Sequence, residues 1–153
     1  MNTELIEISL DSPASEPLAR AAEAVRGGKL VAIPTDSLYV LAADPFSLRA
    51  VAAVFDAKGR QRDQSLPILV NSLQMAEDYA ATLTSRFYLL ARHFWPGPLT
   101  IIVPAASKLP LKVTGNTGRL AVRCARATVS NRLIDLLEMP IIATSANRSG
   151  KPT

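Results

Sequence analysis

With a single cysteine, Cys124, the chain can close no internal disulfide, and that suits a reducing, cytoplasmic compartment. Its one histidine, His93, rules out a metal centre built on clustered imidazoles. Aromatic residues make up 5% of the chain, too few for a base-stacking groove that runs along a single strand. Its apolar runs all fall well short of a membrane-spanning helix. The start, Met1-Asn2-Thr3-Glu4, has neither the basic opening nor the apolar stretch of a secretory leader. A Gly-rich P-loop is absent as well, so any nucleotide site must be built differently. No repeat, linker or low-complexity tract breaks the chain, and 153 residues are enough for one core.

What is present is an ordinary globular balance, 48% hydrophobic and 20% charged, with a net charge of +4. The pI near 9.6 is compatible with anionic ligands or nucleic acid and selects neither. Helical spacing is expected over 16–26, with Ser15 as cap and Gly27-Gly28 as stop. Ser47 is expected to cap a helix with Leu48, Val51, Ala52 and Phe55 inward. Further helices are expected over 73–81, 85–94 and 130–138. Strands are expected at Leu30–Ile33, Pro67–Val70, Leu99–Val103, Leu120–Arg123 and Pro140–Thr144. The interleaving predicts an α/β layer fold around a twisted mixed sheet.

Polar clusters stand at the exits of these elements. Lys58, Arg60 and Arg62 alternate after the second helix, so an extended segment would aim them to one face. Gathered cations suit a phosphate-rich ligand, and equally a solvated basic loop. Thr144-Ser145-Ala146-Asn147 follows an apolar strand, where a hydroxyl and an amide can bond phosphate oxygens or close a turn. Pro34-Thr35-Asp36-Ser37-Leu38-Tyr39 can hold a small polar substrate or form a Ser/Thr turn. Arg123, at a strand end, can clamp a carboxylate or join a surface salt bridge.

Five segments in this order resemble the YrdC-like threonylcarbamoyl-AMP synthase family. They are Gly28 to Tyr39, Lys58-Gly59-Arg60, Phe94-Trp95-Pro96-Gly97-Pro98-Leu99-Thr100, Leu120-Ala121-Val122-Arg123, and Thr144 to Pro152. The resemblance covers about residues 20–153. It implies a single YrdC-like domain over 1–153, with a basic concave face and a C-terminal end short of the family's full length. It implies an enzyme, a nucleotidyltransferase that makes L-threonylcarbamoyladenylate and pyrophosphate from L-threonine, bicarbonate or CO2, and ATP. That product serves tRNA threonylcarbamoyladenosine modification by downstream transfer proteins. Lys58 and Arg60 would be catalytic and hold the triphosphate, with Arg62 nearby. Ser145 and Asn147 would meet the nucleotide. Thr35, Ser37, Tyr39, Arg123 and Thr144 would serve threonine. No metal ligand is implied in the protein; Mg2+ would arrive with ATP. Binding of tRNA or double-stranded RNA is a further implication, a membrane is not. A non-catalytic nucleotide- or RNA-binding module, or an inactive truncated fragment, is the alternative reading.

The chain departs from the family pattern at three places. Tyr39-Val40-Leu41-Ala42 stands where the family reads Tyr-Gly-Leu-Gly, Gln61 replaces a proline, and Ser37 a threonine. Valine resists positive φ and close backbone approach, so Val40 is expected to disturb the threonine pocket.

Overall fold

The computed structural model describes residues 3–153; Met1 and Asn2, the first residues of the stretch read for a leader, lie outside it. The elements are α1 (Ser15–Arg26), β1 (Val31–Pro34), β2 (Tyr39–Ala43), α2 (Leu48–Lys58), β3 (Ile68–Val70) and α3 (Leu73–Tyr79). They continue with α4 (Ser85–Phe94), β4 (Ile101–Pro104), β5 (Arg119–Cys124), α5 (Thr128–Leu137) and β6 (Ile141–Ser145). The six strands form one mixed sheet in the order β1-β2-β6-β3-β5-β4. Only β3 and β5 run parallel; the other neighbours are antiparallel.

Alternation along the strands divides the core in two. Ile68, Val70, Leu120, Val122 and Ile142 face α2, α3 and α4. Val40, Leu69, Ile141 and Ala143 face α1 and α5. Ile141 and Ile142 are both fully buried, so β6 is apolar on both sides. The α1–α5 layer leaves the β4–β5 end of its face open. There Ile102 is 65% exposed, and Arg119, Ala121 and Arg123 alternate along β5 away from the opposite core.

Several sequence expectations shift. Ser15 is the first residue of α1; Ala14 holds the cap position and supplies no side-chain bond. Ser47 does cap α2, its Oγ accepting from the Ala50 N–H at 3.2 Å. The buried face of α2 is rotated to Ala50, Val51, Val54 and Phe55, leaving Leu48 exposed. β1 is an edge strand with only Ile33 buried, which is why Pro34 fits in it. The strand β2 was not foreseen, although Tyr-Val-Leu-Ala-Ala is an apolar run; its two neighbours in the sheet define it.

Val40 lies inside β2, paired with Ile33 on one side and Ser145 on the other. It has no positive φ and buries its side chain to 6% exposure in the α1–α5 core. This backbone is extended, so the valine meets no demand for positive φ, and its isopropyl group is core. Val40→Gly is therefore expected to cost about 2–4 kcal/mol through lost burial and chain entropy. Ile102→Ala, on the open face, is expected to change stability by less than about 0.5 kcal/mol. Urea unfolding of both variants checks the contrast.

Candidate active site

Gly59 ends α2 in the left-handed conformation, φ 57°, and turns the chain back on itself. The following segment is a turn, so the alternating cations do not share a face. Lys58 is 3% exposed and its ammonium points at the exit of β6. It donates to the Ser145 carbonyl at 2.5 Å and the Asn147 carbonyl at 2.8 Å. Longer contacts reach Ser145 Oγ at 3.5 Å and Asn147 Oδ1 at 3.4 Å. In return the Ser149 N–H donates to the Lys58 carbonyl at 2.8 Å. The two clusters read separately in the sequence therefore meet. Asn147 also closes its own turn, donating from Nδ2 to the Lys151 carbonyl at 2.6 Å.

Arg60 folds into its own loop, donating from Nη2 to the Ser65 carbonyl at 2.9 Å. Its Nε is buried and unpartnered. Arg62 turns the other way, into a solvent-exposed pair with Asp56 at 3.2 Å. Burial lowers the Lys58 pKa, and the neighbouring Arg60 charge lowers it further. Burial lowers Arg60 as well.

The second constellation is built on Asp36. Its carboxylate pairs with Arg123 through Oδ1, both side chains being about 85% buried (14% and 16% exposed). Its Oδ2 accepts the Arg126 N–H at 3.1 Å. Arg123 further donates to Ser37 Oγ at 3.0 Å and to the Gly97 carbonyl at 3.0 Å. The β1–β2 turn thus reaches β5 across the two intervening strands β6 and β3, which the twist of the sheet permits. A Cβ on Gly97 would meet the Phe94 carbonyl oxygen at 2.4 Å, so only glycine lets this loop approach.

Thr35 forms the Ser/Thr turn, its Oγ1 donating to the Leu38 carbonyl at 2.7 Å. A cavity of about 200 Å3 lies beside it, lined by Leu10, Asp11, Pro34, Thr35, Asp36, Arg126 and the first residues of α5. Ser37, Arg123, Tyr39 and Thr144 do not line it. Tyr39 is 62% exposed at the start of β2, and Thr144 is buried within β6. Arg123 already has three protein partners and so acts as a clamp on the turn. Asp36 and Arg126 are the residues that sequence reasoning passed over. Asp36 stood inside the Pro34–Tyr39 cluster, whereas only folding brings Arg126 to it. Among the described residues, no group of three or more His, Cys, Asp or Glu could hold a metal ion. Among them, too, no helix is long and apolar enough to cross a membrane.

Residues 23–153 match the Sua5/YciO/YrdC family model, whose description reads "Telomere recombination". The chain belongs to this family. It is 42% identical over 133 residues to the threonylcarbamoyl-AMP synthase of Pyrococcus abyssi, a match covering 87% of this chain and 39% of that protein. The threonylcarbamoyl-AMP synthase of Bacillus subtilis is 34% identical over 148 residues, covering 96% and 42%. The chain thus spans about two fifths of the length of these two Sua5/YciO/YrdC relatives. The structure of P. abyssi Sua5 complexed with L-threonine superposes with a TM-score of 0.89 at 39% identity, over 93% of this chain and 42% of that one. Escherichia coli YciO, 20% identical, shares the fold with a TM-score of 0.83 over 90% of this chain and 66% of that one.

Two predictions test this geometry. Asp36→Asn leaves Arg123 without its counter-charge and is expected to cost about 1.5–3 kcal/mol. Asp56→Asn in the exposed pair is expected to cost nothing measurable by urea unfolding. The second concerns pH. The folded Lys58 pKa lies below its usual 10.5, so the unfolded chain binds more protons between those two values. The Lys58 contribution to stability therefore rises with pH through that window. Comparing the alkaline stability slopes of the wild type and Lys58→Met checks the sign: the variant should have the smaller slope.

Proposed function

We infer that the chain makes L-threonylcarbamoyladenylate and pyrophosphate from L-threonine, bicarbonate or CO2, and ATP, for tRNA threonylcarbamoyladenosine modification. The observation that carries this reading is the junction of Lys58 with Ser145 and Asn147, in a family whose relatives named above are threonylcarbamoyl-AMP synthases. The L-threonine of the P. abyssi Sua5 complex supports the choice of amino acid.

On this reading the threonine amine takes up CO2 as a carbamate. A carbamate oxygen attacks the α-phosphorus of ATP while the bond to pyrophosphate breaks. Negative charge grows on the phosphoryl oxygens and the leaving group, so fixed cations lower the barrier. Lys58 suits this because two carbonyls already hold its ammonium in place, removing the cost of immobilising a flexible side chain. Arg60 supplies a second cation after turning out of its own loop, where it now donates to the Ser65 carbonyl, and Ser145 and Asn147 supply neutral donors at the β6 exit. Arg62 serves only after leaving Asp56. On this reading threonine takes the cavity beside Thr35, its carboxylate toward Arg126 and the uncapped first turn of α5 and away from Asp11 and Asp36. Arg123 and Ser37 hold that wall in position, with Tyr39 and Thr144 flanking it. Mg2+ enters as part of the MgATP substrate. The reaction is assigned to the cytoplasm, where the product passes to tRNA through downstream transfer proteins.

The test is pyrophosphate release with threonine, bicarbonate and MgATP. Threonine-dependent release is expected, reduced about 100-fold or more by Lys58→Ala. A folded chain that releases none, or a Lys58→Ala variant with unchanged turnover, overturns the reading.

A further inference from the structure

The loop that carries Arg60 has few attachments of its own. Residues 61–64 are exposed, and the one backbone bond among them runs from the Gln64 N–H to the Gln61 carbonyl at 3.2 Å. At its start the Arg60 N–H donates to the Phe55 carbonyl at 3.0 Å. At its end the Leu66 N–H donates to the Val113 carbonyl at 2.7 Å. Between these ends the loop lies on the turn that precedes β5.

That turn, residues 110–118, is the stiffer partner. Val113, Thr114 and Gly115 are buried. The N–H groups of Val113, Thr114, Gly115, Asn116 and Thr117 all bond to carbonyls within the turn. The Thr114 hydroxyl donates to the Leu111 carbonyl at 2.9 Å. The Thr117 hydroxyl donates to the Thr114 carbonyl at 2.6 Å and accepts the Arg119 N–H at 3.1 Å.

Gly115 is where the two meet. Its backbone is left-handed, φ 58°, and a Cβ there would lie 2.3 Å from the Asp63 carbonyl oxygen. It would also lie 2.8 Å from the carbonyl carbons of Asp63 and Gln64. These are backbone atoms, so no side-chain rotation relieves the overlap, and ordinary contact distances require a shift of about 1 Å. The exposed, sparsely bonded loop yields before the buried turn does. Gly118 supplies the contrast: its φ of 67° is also left-handed, but open space stands where its Cβ would be.

We propose that Gly115 is a positioning residue for Arg60: its bare Cα seats the Asp63–Gln64 backbone, and this seat sets how far the guanidinium reaches toward the triphosphate. The proposal rests on the reaction inferred above. Arg60 leaves the Ser65 carbonyl to meet phosphate, and a seated backbone confines that movement to the side chain. Misplacing a reacting group by about 1 Å costs up to roughly 100-fold in rate. The threonine cavity takes no residue from this loop or turn, so threonine binding is unaffected.

Gly115→Ala and Gly118→Ala are compared in the full chain. Both carry the cost of a side chain at positive φ, so their difference reports the contact with Asp63. Pyrophosphate release gives kcat and the KM for threonine. Tryptic cleavage after Arg60 and Arg62, timed by mass, reports the seating of the loop without reference to activity. Gly115→Ala is expected to lower kcat about tenfold or more and keep the threonine KM within about twofold. Its loop should be cleaved about tenfold faster, whereas Gly118→Ala should match the wild type throughout. Thr117→Val, an exposed change that frees the Thr114 carbonyl, carries the test if Gly115→Ala does not fold, with changes of about threefold. A folded Gly115→Ala variant with wild-type kcat, or cleaved no faster than Gly118→Ala, overturns the proposal. So does a threonine KM that rises as far as kcat falls, or a Thr117→Val variant cleaved and active as the wild type. A wild type that releases no pyrophosphate overturns the inferred reaction instead, and the cleavage contrast alone then decides whether Gly115 seats the loop.

Discussion

Burial of the central strands on both faces is the constraint from which the rest follows. Ile141 and Ile142 are adjacent, fully buried, and point to opposite helical layers. Each contributes about 1.5–3 kcal/mol of burial, and a one-residue slip in register would exchange their faces. With both faces of β6 and β3 covered by apolar groups, polar chemistry has room only at strand exits and over the uncovered β4–β5 end. The Lys58 junction and the Asp36 hub both lie at such exits.

Charge in the candidate site is bound up with the fold. Lys58 holds the β6 exit by its carbonyls, and Arg123 holds the β1–β2 turn by Asp36, Ser37 and Gly97. Buried cations of this kind are tolerated because oxygen atoms surround them. The same bonds fix their positions before a ligand arrives, which favours electrostatic stabilisation over flexible capture. Arg62, in a pair that is 69% exposed on both sides, has no such support.

Local signals located the helices and five of the six strands, because hydrophobic period and capping are properties of short segments. Leu133, Ile134 and Leu137 on the α5 face were legible, whereas Val129, in the turn before the expected start at 130, was not. The face of α2 was not: Leu48 is as apolar as Val54, and only the position of the sheet decides which is inside. Lys58, Ser145 and Asn147 were legible as strand and helix exits, and their meeting was expected from the family pattern. Asp36 was visible but undistinguished within a cluster of four polar side chains. Arg126 carried no local sign, since the carboxylate that accepts its backbone N–H lies 90 residues away in the chain.

By itself the sequence determined the α/β class, the order of its elements, the family, and the polar clusters at their ends. These depend on spacing and residue type, which the linear chain already contains. The tertiary structure alone decided how those groups are used. Gly59 turned the cations apart, and the twist of the sheet brought Asp36 to Arg123. The pairing of β2 with β6 made Val40 core. Such outcomes depend on distances between residues far apart in the chain, and only the packed sheet sets those distances.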